Sequence, residues 1–197
     1  LTREIMLAER MLRDSLKLIF KFRGSIKKDI MYTEIVVDNL QTEITKYLWS
    51  ISCGQLTPEL AKKLFAFSAI VYEIERIGDR STNIVELSES KHDRNALFTD
   101  AAKEELRHIG ELITKILMDT ASIIENQDEN TIRVIFELNR RIAILIKKAT
   151  EQHLERFYQK LCRAEAGPIF VDMLVNLERI SYHCQSIAEQ IGRLNEE

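Results

Sequence analysis

Chain-breaking residues are scarce in this sequence, and their scarcity narrows the fold class before any motif is read. The 197 residues include 6 Gly and 2 Pro, where average usage would supply about three times as many. Sandwiches, barrels and doubly wound sheets use Gly and Pro at every turn. A chain this poor in both has few turns, so long helices joined by few breaks are expected: an all-α protein. The 45% hydrophobic fraction supplies a core and argues against disorder.

The breaks that do occur are easy to place. Gly24-Ser25 interrupts the first helical stretch, and Cys53 to Thr57 ends the second. Thr57 then offers an N-cap with Pro58 at the first helical position. A polar run from Ser88 to Asn95 ends the third, Asn126 to Asn130 ends the fourth, and Gly167-Pro168 marks the last join. Between the breaks the apolar spacing is helical, as in Leu60, Leu64, Phe67, Val71 and Ile74. Six helices are predicted, over 3–22, 26–52, 58–89, 98–126, 129–163 and 169–194. An internal repeat divides them three and three. Val71–Glu89 and Leu174–Gln190 both carry Glu-Arg-Ile, then a small residue, then Ile and Glu at matching offsets, with a shift of 103 residues. Two tandem three-helix bundles follow, residues 1–93 and 94–197.

Bulk charge excludes some partners. The formal net charge of −3 offers no basic surplus for nucleic acid or an anionic membrane surface. No apolar run reaches the roughly 18–20 residues that span a bilayer, so this segment is not expected to insert into a membrane. Cys53, Cys162 and Cys184 are too far apart to form a C-x-x-C pair and read as reduced thiols of a cytoplasmic protein.

The chemistry-bearing pattern is a set of carboxylates. Glu75 and Asp79 are four apart, on one helix face one turn from each other, and Glu34 and Asp38 repeat the spacing on the preceding helix. Each pair sits at the flank of its apolar stripe, so antiparallel neighbours bring four carboxylates to one groove. Such a cluster repels itself unless a cation compensates, and oxygen donors suit iron, manganese, magnesium or calcium. A solvated helix face is the plainer reading of the same spacing.

The third segment, Glu75-Arg-Ile-Gly-Asp79 followed by Asn83-Ile84-Val85-Glu86, resembles the signature of PhoU-type phosphate-uptake regulators, and the resemblance spans essentially the whole chain. It implies two three-helix repeats with E-x-x-x-D motifs on adjacent helices, holding a metal cluster of iron or zinc ahead of magnesium or manganese. Glu34, Asp38, Glu75 and Asp79 occupy the motif positions. The second half departs from the pattern: Glu178 is present, but Tyr182 stands where Asp is expected, and Arg141 or Ile144 falls opposite Asp38 depending on register. Glu137 has basic Arg140 and Arg141 beside it. His183 is the one residue there able to rescue a transition-metal site.

Lesser motifs remain. Glu89-x-x-His92 and Glu105-x-x-His108 match the E-x-x-H spacing of di-metal carboxylate enzymes, but they flank one polar break instead of facing each other in mid-bundle. His153 has no acidic partner at four residues' distance, Trp49 is either a contact residue or packing, and Phe20, Phe65, Phe67 and Phe136 are expected in the core. No nucleophile, base and orienter form a catalytic set, so no enzyme is expected. The resemblance implies a regulator of phosphate uptake, cytoplasmic, able to self-associate and partnered by transporter components. The opening on Leu1 inside a helical pattern favours the cytosolic domain of a sodium-dependent phosphate transporter. The alternatives are a free-standing regulator of an ABC phosphate transporter, a di-metal enzyme and a metal-free helical adaptor.

Overall fold

A computed structural model describes residues 1–195. The described residues form six α-helices: α1 (Thr2–Phe20), α2 (Gly24–Ser52), α3 (Pro58–Asp93), α4 (Asp100–Asn126), α5 (Glu129–Tyr158) and α6 (Ala166–Asn195). Their starts are set by local chemistry. The Thr57 hydroxyl accepts from Leu60 N–H at 3.2 Å with Pro58 in the first turn, Thr99 accepts from Ala102 N–H at 3.2 Å, and the Asp128 carboxylate accepts from Thr131 N–H at 2.8 Å. Each satisfies an N–H that the helix start leaves without an intrahelical acceptor.

Three boundaries differ from the sequence reading. Gly24 does not break a helix; it begins α2, after a short extended stretch through Lys21 and Arg23. The polar run after Ser88 continues α3 to Asp93, and the chain reverses at Asn95, whose φ is 48°. Gly167-Pro168 lies in the first turn of α6, not in the join, because Pro needs no N–H partner there. The join falls earlier, where Lys160 adopts a left-handed φ of 59°.

The first three helices run up, down and up, and the last three run down, up and down. α3 and α6 make the most extensive contact in the molecule. The Asn83–Asn176 hydrogen bond and the Glu73–His183 contact show that they run antiparallel. The repeat extends to burial. Shifted by 103 residues, nine of the ten buried positions of α3 from Ile70 onward coincide with buried positions of α6, the exception being Thr82 against half-buried Gln185. One apolar core runs through α1, α3, α4, α5 and α6, from Ile5 through Ile74 and Ile113 to Leu177 and Ile187. A second cluster of Met11, Leu18, Ile30, Val37 and Val85 ties α2 to α1 and α3. α2 is peripheral, burying only Ile30, Thr33, Val37 and Leu48.

Some aromatic expectations fail. Phe20, Phe65 and Phe136 are exposed instead of core, because their positions fall outside the buried stripes of their helices; only Phe67 packs against the core, half-buried. Trp49 is 70% exposed and borders a surface groove with Leu56 and Phe65. No helix among the described residues is long and apolar enough to cross a membrane.

Candidate metal centre

The close approach of three helices builds the groove. A Cβ added at Gly78 would lie 3.8 Å from Met11 Cε of α1 and 3.8 Å from Val37 Cγ1 of α2. Gly78 sits between Glu75 and Asp79 in sequence, and Val37 between Glu34 and Asp38. The two acidic pairs therefore flank the point where α2 meets α3.

Electrostatics places them in one neighbourhood. Burial raises the Glu34 carboxyl above its ordinary range, followed by the charges of Asp38, Asp79 and Glu86. Burial and then Asp79 raise Asp38. Glu75 is raised by burial and by Asp79, while Arg76 pulls it the other way. Carboxyls that push one another up in this way form a site of excess negative charge. Its compensation comes from Arg76, whose guanidinium lies 3.8 Å from Glu75 Oε2 and 3.8 Å from Asp79 Oδ2. Both distances are ion-pair contacts too long for hydrogen bonds. Arg76 is itself held by the Tyr72 hydroxyl and lies over the Tyr72 ring at 4.9 Å.

Glu75 Oε2 is buried and takes no hydrogen bond. An orphaned carboxylate oxygen beside three further carboxyls fits a cation, since hard oxygen donors without N–H partners are what such ions use. As the side chains stand, no group of three or more His, Cys, Asp or Glu among the described residues is gathered tightly enough to hold a metal ion. Occupancy would require side-chain rotation toward a common point. Glu34, Asp38, Glu75 and Asp79 are the residues that could supply ligands.

Behind the groove lies a residue absent from the sequence reading. Glu4 of α1 is 0% exposed, and neither carboxyl oxygen has a hydrogen-bond partner. Burial raises its pKa from 4.5 to about 7, with the nearby N-terminal ammonium pulling it down and Glu75 pushing it up. Glu4, Met11 and Leu18 recur every seven residues on the stripe of α1 that faces α2 and α3. That phase could have revealed Glu4 in the sequence, where a carboxylate interrupts an otherwise apolar row.

The described residues of the second half lack the matching acidic pairs, with Arg141 and Tyr182 opposite Asp38 and Asp79. His183 does not turn to Glu178: its Nδ1 donates to Glu73 Oε2 of α3 at 2.6 Å, while its buried Nε2 has no partner. Glu137, Arg140 and Arg141 are all exposed. Three of the four E-x-x-H residues are engaged elsewhere. Arg156 holds Glu105 through two hydrogen bonds of 2.6 and 2.7 Å, Lys27 holds Glu89 at 2.5 Å, and His92 stacks on Phe22 with ring centres 5.1 Å apart. His153 is a core residue, 5% exposed and stacked on Phe170 at 4.9 Å.

A duplicated three-helix bundle with a paired-carboxylate groove on one half defines a recognisable class of all-helical protein. The model of the PhoU domain matches residues 1–88 and again 106–191. The chain belongs to the PhoU family. Among solved structures, PhoU from Pseudomonas aeruginosa superposes with a TM-score of 0.91 at 16% identity, over 98% of this chain and 92% of that one. The phosphate transport system regulatory protein PhoU from Streptococcus pneumoniae gives a TM-score of 0.81 at 15% identity, over 98% of this chain and 91% of that one. Identities this low establish a shared fold alone. No curated protein sequence matches the chain.

Proposed function

We propose that this protein is a non-enzymatic regulator of inorganic phosphate uptake at the cytosolic face of the membrane, carrying a metal ion or cluster across Glu34, Asp38, Glu75 and Asp79. The observation that carries the reading is the double match to the PhoU domain on a fold whose first half brings two E-x-x-x-D pairs together at the α2–α3 contact. Metal would displace Arg76 from Glu75 and Asp79 and supply the charge compensation that this arginine now provides from 3.8 Å.

Two settings suit such a module. One is a cytosolic domain acting on a sodium-dependent phosphate transporter. The other is a free-standing regulator of an ABC phosphate transporter. The match to the PhoU domain suits both settings equally. In either, the domain biases a transporter between conformations through differential contacts with each.

Elemental analysis of the purified protein tests the groove. Bound iron, zinc or manganese is expected in the wild type and lost in the folded E75A/D79A double variant; metal retained in that variant would sink the assignment. Phosphate uptake in cells lacking the gene tests the regulation. Uptake is expected to lose its response to external phosphate and to recover it with the wild-type gene. In-cell crosslinking then separates the two settings by the transporter class captured.

A further inference from the structure

We propose that the seam between α3 and α6 binds a phosphate group between Arg80 and Arg179. The inference deepens the phosphate-regulation reading by giving the domain a ligand, and it makes no use of the acidic groove.

Two contacts fix how the helices face each other along this seam. Asn83 Nδ2 donates to Asn176 Oδ1 at 3.3 Å, and His183 Nδ1 meets Glu73 Oε2 at 2.6 Å. On α3, Arg80 lies seven residues after Glu73 and three before Asn83, on the flank that reaches α6. On α6, Arg179 lies three residues after Asn176 and four before His183, on the flank that reaches α3. Because the helices are antiparallel, three residues back from Asn83 and three forward from Asn176 run the same way, about 4.5 Å along each. Measured from the asparagines, the two arginines are level across the seam. Measured from the Glu73–His183 contact they differ by about 4.5 Å, less than one helical turn.

The repeat offset of 103 residues carries Arg76 to Arg179 and Arg80 to His183, so both repeats place basic residues here. Two of the four have carboxylates: Arg76 lies 3.8 Å from Glu75 and Asp79, and His183 contacts Glu73. The other two have none. Among the described residues neither Arg80 nor Arg179 makes an ion pair or a hydrogen bond, and Nε of Arg80 is buried. Two guanidinium charges facing each other repel, and a buried N–H without an acceptor is costly. One anion relieves both. Phosphate fits because its oxygens accept paired N–H bonds from each planar guanidinium fork, and its charge offsets the two cations. Arg179 is exposed and opens the seam to solvent, while half-buried Arg80 forms its inner side.

Equilibrium dialysis of the full chain against radiolabelled inorganic phosphate, at physiological salt, tests the site. The wild type is expected to hold one phosphate per chain, and Arg80→Gln and Arg179→Gln to bind at least tenfold more weakly. Arg179→Gln keeps the test alive should Arg80→Gln fail to fold, because an exposed side chain can be changed without disturbing the core. Arg133→Gln, which removes the same charge from an exposed position on α5, should leave affinity unchanged. Glycerol phosphate, dialysed in parallel, identifies the source: binding of this monoester alone would assign the site to a phosphorylated molecule instead of the free ion. No binding of either by the wild type would overturn the site. So would unchanged affinity in folded Arg179→Gln, or an equal loss in Arg133→Gln. The response of uptake in cells, on which the regulatory reading stands, is a separate result that none of these failures alters.

Discussion

Glu4→Gln should remove most of a pH-dependent weakness from the metal-free protein. Burial, opposed by the N-terminal ammonium and aided by Glu75, moves the Glu4 carboxyl from 4.5 to about 7 in the folded state. At about 1.4 kcal/mol per pKa unit, that displacement is worth about 3 kcal/mol. The folded form holds the proton more tightly than the unfolded form. The stabilisation is therefore complete below pH 4.5, declines as pH rises through about 7, and is gone above it. Glu34, Asp38 and Glu75 are raised as well and act in the same direction, so the variant must be compared with the wild type at each pH. Urea denaturation in the presence of a chelator, at pH 5 and pH 8, provides the measurement. The wild type should lose about 2.5 kcal/mol more than Glu4→Gln between the two, because the unfolded carboxyl is already mostly ionised at pH 5; that is a large share of the roughly 5–15 kcal/mol that holds a domain folded. Parallel losses in the two proteins would refute the reasoning, showing that Glu4 is ionised and solvated in the native state.

Three further outcomes follow from packing. Arg156→Ala leaves Glu105, whose side chain is only 17% exposed, without its bidentate partner, and should cost about 3 kcal/mol in urea denaturation. Gly192→Ala should raise stability by about 0.5–1 kcal/mol, because Gly192 lies inside α6 with nothing within 4 Å of an added Cβ; a calorimetric Tm about 2 °C higher would register it. Gly167→Ala should cost about 1–2 kcal/mol, since the new Cβ would sit 3.1 Å from Nε2 of His153, whose ring is pinned on Phe170; an unchanged denaturation midpoint would mean that the ring has room to move.

The helix count, the repeat and the acidic pairs were legible in the sequence because each rests on spacing within one helix. Thr57-Pro58 marked the start of α3 by local capping chemistry. What depended on contacts between helices was not legible. Phe65 and Phe136 look like core residues by type, and only the packing of their neighbours shows that their faces are left open. His183 invites comparison with Glu178 on its own helix, yet its partner is Glu73, 110 residues away. Arg76 lies inside the Glu75–Asp79 motif as its cation, a role invisible until side-chain directions are known. Glu4 was hidden for the opposite reason: a single charge in an apolar stripe reads as noise until its burial is seen.

Two identical three-helix units related by a two-fold axis would meet through the same helix of each, running antiparallel, and every contact would occur twice. α3 and α6 retain that arrangement inside one polypeptide. The repeat offset carries Asn83 to Ser186 and Asn176 to Glu73, yet Glu73 bonds His183, three residues from the symmetric position. A true dimer could not differ from itself in this way. Covalent duplication lifts the constraint, and the two halves have divided their properties: one keeps its carboxylates, while the other carries Arg141 and Tyr182 in the places of Asp38 and Asp79.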